Sequence, residues 1–321
     1  MKKRILSGAQ PSGQLHIGNY FGMIKRMIQF QDDSDLFCFV ANYHSMTSIN
    51  DKAKLEHNTK EAFIDLLALG IDAEKSTFWV QSHVPEVTEL AWILSNYSSV
   101  GLMQRSTSFK DKIANGLKPN MGLFSYPILM ASDILLFQSE IIPVGKDQKQ
   151  HLEMTRDIAT KFNNIHGDIF VLPEAEIDSG NDIIVGTDDQ KMSKSYNNTI
   201  PIFAENDVIK NQVMNIVTDS AGLNDPKDKD TPLFKIYSLF LNDESKKELS
   251  DRYDTPGLKY MDIKKELIDT IINFFESNKS KRELLLKNED EVNQKMILGQ
   301  NKARKIAQKT LHSVKSAVGL L

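Results

Sequence analysis

Six apolar residues in succession, Leu36-Phe37-Cys38-Phe39-Val40-Ala41, constrain the fold more than any other stretch of this chain. No amphipathic period runs through them, so both faces of the segment must be covered. A strand of that kind belongs inside a parallel sheet with helices on either side. Its neighbours agree. Arg4-Ile5-Leu6-Ser7 reads as a short strand ending at Gly8, and a helix follows from about Gly18 with Ile24, Met27 and Ile28 on one face. Asn50 or Asp51 caps a helix reaching Leu69, striped by Leu55, Ala62, Phe63, Leu66 and Leu67, and Gly70 ends it. Thr77-Phe78-Trp79-Val80 is another strand, and Pro85-Glu86 opens another helix. Ile141-Ile142-Pro143-Val144 reads as a strand, and Asp147 begins a helix to about Phe162.

This alternation predicts an α/β protein with a Rossmann-like, doubly wound parallel sheet over residues 1–203. After Pro201 only helices are legible. The strongest runs from Asp262 to Ser277, with Ile263, Leu267, Ile268, Ile272 and Phe275 on one face, so residues 204–321 are expected to form an all-helical C-terminal domain. Two loops interrupt the pattern. One, Gln104 to Met121, carries Arg105, Lys110, Lys112 and Lys118; the other, Asp178 to Thr199, is rich in Gly, Asp, Ser and Asn.

Bulk properties narrow the class. A formal charge of −4 shows no global basic excess, so nucleic-acid binding has to rest on local charge. One such place is Lys295, Lys302, Arg304, Lys305, Lys309 and Lys315, a stretch without Asp or Glu. It is either a solvated helix face or a phosphate-backbone contact surface. The lone Cys38 excludes an intrachain disulfide and a Cys-rich metal site, and it reads as a buried strand thiol. Met1-Lys2-Lys3-Arg4 is followed by only Ile5 and Leu6 before Ser7-Gly8, which is no signal-peptide core. No apolar run approaches the ~20 residues of a membrane span. A cytoplasmic location is expected.

Two short motifs carry chemistry. In Gln10-Pro11-Ser12-Gly13-Gln14-Leu15-His16-Ile17-Gly18-Asn19, Pro11 and Gly13 set a tight turn after the first strand, and Gly18 allows close approach. A helix starting there points free N–H groups at an anion, and His16 adds a donor for an α-phosphate oxygen. Such a stretch alone is weak evidence. Far downstream, Lys191-Met192-Ser193-Lys194-Ser195 places two ammonium groups in a loop that can meet β- and γ-phosphates as the transition state forms.

Together, in this order, the two motifs resemble those of class I aminoacyl-tRNA synthetases. Further segments resemble the tryptophan-specific branch, the tryptophanyl-tRNA synthetase family: Ser7 to Gly13, Tyr126-Pro127-Ile128-Leu129-Met130-Ala131-Ser132-Asp133-Ile134-Leu135, Pro143-Val144-Gly145-Lys146-Asp147-Gln148-Lys149-Gln150-His151-Leu152-Glu153, and Val217-Thr218-Asp219-Ser220. Asn19 stands where class I enzymes at large carry a second His, as is common in the tryptophan branch. Lys146 stands where many relatives carry an acid, and the iron–sulfur cluster of some relatives has no cysteines here.

The resemblance implies a set of roles. His16, Lys191 and Lys194 would be catalytic. ATP would be lined by Gln10, Pro11, Ser12, Gly18, Asn19, Gly145, Lys146, Asp147, Ile183 and the segment Lys191, Met192, Ser193, Lys194 and Ser195. Asp133 would accept the indole N–H, Met130 would pack on the ring, and Tyr126 and Gln148 would hold the amino group. His44, after its strand, faces the same crevice or is a satisfied surface histidine; Tyr126 alone could be core, Gln148 a surface amide, and Asp147 a helix cap. ATP with Mg²⁺, L-tryptophan and tRNA(Trp) are the implied partners, with a homodimer as the assembly and the basic C-terminal helix suited to the anticodon end. No protein-bound metal is expected. Three rivals are a tyrosine-specific relative, whose Gly-Gly-Ser-Asp-type segment is absent, a small-molecule adenylyltransferase, and a non-catalytic tryptophan sensor.

Overall fold

A computed structural model describes residues 2–106, 116, 119–145, 148–177 and 183–321. Among the described residues, five parallel strands form one sheet: β1 (Arg4–Ala9), β2 (Asp35–Val40), β3 (Thr77–Val80), β4 (Ile141–Pro143) and β5 (Glu174–Glu176). Their order is β3-β2-β1-β4-β5. The chain therefore winds one way from β1 to β3 and the other way from β4 to β5, the expected doubly wound arrangement. The long apolar run is β2, paired with β1 from Arg4–Asp35 to Ala9–Val40, and Leu36 to Val40 are all buried. β3 is buried at all four positions.

The helices match the sequence reading closely. Asp51 caps Lys52–Leu69 by accepting from the Lys54 N–H at 2.6 Å, and Gly70 closes it at φ 124°. Such a positive φ favours glycine. Pro85 precedes Glu86–Ser95, and Lys149–His166 follows β4. The first helical run, Ile17 to Asp33, contains a π-helical turn at Tyr20–Ile24 that the sequence does not announce. The amphipathic segment expected over Asp262–Ser277 extends over Tyr260–Lys287, with Ile263, Leu267, Ile268, Ile271 and Phe275 buried.

Two compact units emerge. One comprises residues 1–13, 27–180 and 285–321; the other comprises 14–26 and 181–284. This differs from the boundary expected at 203. The last helix, Glu289–Ala317, lies in the same unit as the sheet rather than with the other C-terminal helices. Packing gives the reason. Val292, Ala303, Ala307, Leu311 and Val314 are buried, and Gly299 lets the helix backbone come so close to β3 that a Cβ there would lie 1.6 Å from the Phe78 carbonyl oxygen.

Polar anchors flank that contact. Lys302 donates to the carbonyls of Ala73 and Glu74 at 2.8 Å each, and Glu86 Oε1 accepts from Arg304 Nη2 at 2.8 Å and from Gln308 at 3.0 Å. Lys315 pairs with Glu89 and Lys295 with Glu291. Four of the six basic side chains that suggested a phosphate surface are thus engaged within the chain, while Lys305 and Lys309 are exposed.

Gly299→Ala should therefore destabilise the fold. Backbone has to move to admit the methyl, which costs about 1–3 kcal/mol or more. Thermal unfolding should show a clear drop in Tm, whereas alanine at the open helical position Gly101 should show none of this clash.

Candidate active site

The order of the sheet places its switch point between β1 and β4, and open α/β sheets bind ligands beyond the strand C-termini there. β1 runs into Gln10, buried Pro11 and exposed Ser12, whose N–H donates to Gln10 O at 2.8 Å; Gly13 follows at φ 101°. β4 runs into exposed Gly145, whose carbonyl accepts from the Gln148 N–H at 2.9 Å. Lys146 and Asp147 lie outside the described residues.

Beyond β2 and β3 lies a buried carboxylate. Asp133, on the helix Met121–Leu136, is 3% exposed. Gln81, directly after β3, donates its Nε2 to both Asp133 oxygens at 2.9 and 2.8 Å. His44, after β2, donates from Nε2 to Oδ2 at 2.9 Å. Tyr43 N–H donates to Gln81 Oε1 at 3.0 Å, which fixes the amide end that faces Asp133. A carboxylate has about four acceptor positions, so it can still accept from a ligand N–H. His44 is thus buried and bonded to Asp133, and the surface-histidine alternative falls.

A second polar group stands on the same two helices. The Tyr126 hydroxyl lies 2.8 Å from His151 Nε2, and His151 Nδ1 lies 2.9 Å from Gln148 Oε1. Tyr126 also meets both imidazoles edge to face, 6.3 Å from His44 and 5.4 Å from His151. Met130, half-buried, packs on the apolar core one turn before Asp133. Tyr126, Met130, Asp133, Gln148 and His44 therefore share one compact unit.

His16, Gly18, Asn19, Ile183 and Lys191 to Ser195 share the other. Leu15 to Ile17 is tied to the downstream segment by a His16–Pro201 bridge and by backbone bonds Ile17 N to Ile200 O and Ile202 N to Leu15 O, both 3.0 Å. Asn19 Oδ1 accepts from the His16 N–H at 3.1 Å. A Cβ on Gly18 would lie 2.9 Å from His16 Nδ1 and 3.1 Å from Met192 Sδ, so the glycine lets the two motifs touch.

Lys191 and Lys194 are exposed, while Met192 is buried. Their segment hangs on a tight hairpin, with Val185 bridged to Lys191 and Asp189 at φ 66°. Buried Asn198 organises it: its Oδ1 accepts from Ser193 N at 2.8 Å, and its Nδ2 donates to Asp188 at 2.6 Å and Lys191 O at 3.1 Å. The Ser195 N–H donates to Ser193 Oγ at 3.3 Å, opening a short 3₁₀ turn at Lys194–Tyr196. Ile183 is 61% exposed, which suits a side chain available to a flat ring.

Burial, reinforced by the Lys194 ammonium, pushes the His16 imidazole down to about 4. The ring is therefore neutral at pH 7, and its Nδ1 is buried without a hydrogen-bond partner among the described residues.

Gln81, His151 and Asn198 were not read from sequence as site residues. One signal was available for the first: Gln81 follows the C-terminal end of β3 as His44 follows that of β2. The other two carry no recognisable local pattern.

Comparison with known proteins identifies the family and agrees with the fold. A family model described as tRNA synthetases class I (W and Y) matches residues 1–276. The tryptophan--tRNA ligase of Fusobacterium nucleatum subsp. nucleatum is 51% identical over 320 residues, covering 99% of this chain and 98% of that one. A crystal structure of tryptophanyl-tRNA synthetase from Campylobacter jejuni complexed with ADP and tryptophan superposes with a TM-score of 0.93 at 50% identity, covering 98% of this chain and 99% of that one. Tyrosyl-tRNA synthetase from Archaeoglobus fulgidus shares the fold at 16% identity, with a TM-score of 0.69 over 88% of this chain and 90% of that one. The chain belongs to the class I tRNA synthetases. Within that class it belongs with the tryptophan--tRNA ligases.

The depressed His16 pKa has a sign that can be checked. An unfolded chain takes up a proton near pH 6.5, but the folded one resists until about 4. Folding stability should therefore lose a component as pH falls from about 6.5 towards 4. His16→Asn should flatten that component in denaturant unfolding measured across this range, and an unchanged slope would contradict it.

Proposed function

We infer that this chain activates L-tryptophan with ATP and charges tRNA(Trp) with it. The observation that carries the reading is 51% identity along the whole length of a tryptophan--tRNA ligase, with the Lys191–Ser195 and Asp133 segments unbroken. In the first step the tryptophan carboxylate attacks the ATP α-phosphate, pyrophosphate leaves and tryptophanyl-adenylate forms. The terminal adenosine 2′-OH of the tRNA then attacks the activated carbonyl, losing its proton as the ester forms and AMP leaves. Positioning and charge stabilisation suffice for such a transfer, without a covalent enzyme intermediate.

The roles are those that the resemblance implies, and the chemistry of the side chains suits them. Neutral His16 donates an N–H to a phosphate oxygen, and Lys191 and Lys194 meet the departing pyrophosphate. Gln10, Pro11, Ser12, Gly18, Asn19, Gly145, Lys146, Asp147 and Ile183 line the nucleotide. Asp133, its carboxylate fixed by Gln81 and His44, accepts the indole N–H, which phenylalanine cannot supply. Among the described residues no three His, Cys, Asp or Glu side chains gather to hold a metal. Magnesium usually binds through phosphates and water with few protein ligands, so Mg²⁺ would come with ATP and neutralise phosphate charge.

We further propose a homodimer. Trp92, Val100, Met121 and Met46 are 74, 63, 73 and 55% exposed, and they ring a cavity of about 700 Å³ in the sheet-containing unit. An apolar area of this kind suits a second copy of the chain. One tRNA would span both subunits, with its anticodon end on residues 204–321. Because four of the six cations of the last helix are engaged internally, only Lys305 and Lys309 remain from that stretch as phosphate contacts. Among the described residues no helix is long and apolar enough to cross a membrane. The proposed location is the cytoplasm, where tRNA charging serves translation.

Tryptophan-dependent ATP–pyrophosphate exchange tests the first step, and attachment of labelled tryptophan to tRNA(Trp) tests the second; a chain that only senses tryptophan would show neither. Lys194→Ala should lower the adenylation rate by ~10²–10³, the scale of losing one transition-state donor, with tryptophan affinity nearly unchanged. Pre-steady-state kinetics separate the two, and equal losses would refute the role. Asp133→Ala should cripple discrimination against phenylalanine, which exchange assays with both amino acids would reveal.

A further inference from the structure

Tyr126 and Gln148 have to accept hydrogen bonds if they hold an ammonium group, because –NH₃⁺ is a donor only. Both side chains can also donate, so something must set their polarity. The structure places one buried side chain between them. His151 is 2% exposed, with Nε2 at 2.8 Å from the Tyr126 hydroxyl and Nδ1 at 2.9 Å from Gln148 Oε1. A carboxamide oxygen cannot donate, so Nδ1 carries the proton. With the ring neutral, Nε2 presents one lone pair, which the nearer Tyr126 hydroxyl at 2.8 Å takes as donor; Ser106 Oγ lies farther away at 3.3 Å. With its proton committed, the Tyr126 oxygen has only lone pairs to offer elsewhere. Gln148 Oε1, held as an acceptor by Nδ1–H, has a second lone pair.

We propose that His151 is a positioning residue that turns Tyr126 and Gln148 into acceptors for the tryptophan ammonium group. The proposal rests on the reading above that these two side chains receive that group. His151 itself touches no substrate. The imidazole orders its neighbours as outer-shell partners orient metal ligands. The ring sits in the first turn of Lys149–His166, three residues after Gln148, and faces the helix that carries Tyr126 and Asp133. One tautomer thus serves the amino end of the substrate while Asp133 serves the indole.

The test compares L-tryptophan with indole-3-propionate, which keeps the ring and carboxylate but lacks the amino group. His151→Leu should raise the KM for tryptophan in pyrophosphate exchange about 10- to 100-fold, the scale of a charge-assisted hydrogen bond. The kcat should stay near that of the unaltered enzyme, and inhibition by indole-3-propionate should change less than about twofold on the same scale. His151→Gln, which can still accept from Tyr126, should restore part of the loss. Equal weakening of both ligands would mean a general packing role and would overturn the proposal, as would an unchanged KM for tryptophan. Tyr126→Phe in an otherwise unaltered chain tests the underlying reading separately: if it leaves tryptophan KM unchanged, the ammonium group binds elsewhere. Long-range ¹H–¹⁵N NMR of the unaltered protein should show His151 as the Nδ1–H tautomer. An Nε2–H tautomer would refute the proposal, and this measurement decides even if His151→Leu does not fold.

Discussion

A sheet buried on both faces has no place for polar side chains along its length. β2 is apolar throughout from Leu36 to Val40, and β3 from Phe78 to Val80, with only Thr77 polar at its start. Chemistry is therefore displaced to the strand ends, and because all five strands run parallel those ends are shared. His44 follows one strand, Gln81 the next, and Gly145 a third. The Asp133 carboxylate depends on this arrangement. It is tolerable at 3% exposure because Gln81 and His44, delivered by adjacent strands, satisfy it.

The nucleotide motifs use a different device. His16 and Lys194 lie in one compact unit, and the contact between Gly18, His16 and Met192 needs the absence of a side chain. Burying an imidazole near an ammonium keeps the ring neutral, so the pair adds one fixed cation rather than two. Asn198 then holds the lysine-bearing hairpin by three bonds from one side chain. Charge is left to the exposed lysines, and rigidity to a buried amide.

Much of this was legible in the sequence because it is local. The β2 run, the Asp51 cap and the Gly70 stop announce themselves within a few residues. The unread features are long-range. Nothing near Gln81 says that it will bind a carboxylate 52 positions later. His151 acquires a role only when the helix of Tyr126 packs against its own. The last helix misled for the same reason: its cations look free in sequence, but their carbonyl and carboxylate partners lie more than 200 residues upstream for Lys302 and Arg304.

Gly299 against the Phe78 carbonyl also bears on how the molecule is made. Chains emerge from the ribosome N-terminus first and fold by domains as they do. Here the strands of the sheet are complete by Glu176, yet the helix that covers β3 spans Glu289–Ala317. The sheet-containing unit must wait, its β3 side without this helix, while residues 181–284 of the second unit are synthesised. Its burial is complete only when the final helix docks, so a product cut short by a few dozen residues lacks Ala303, Ala307, Leu311 and Val314 from its core.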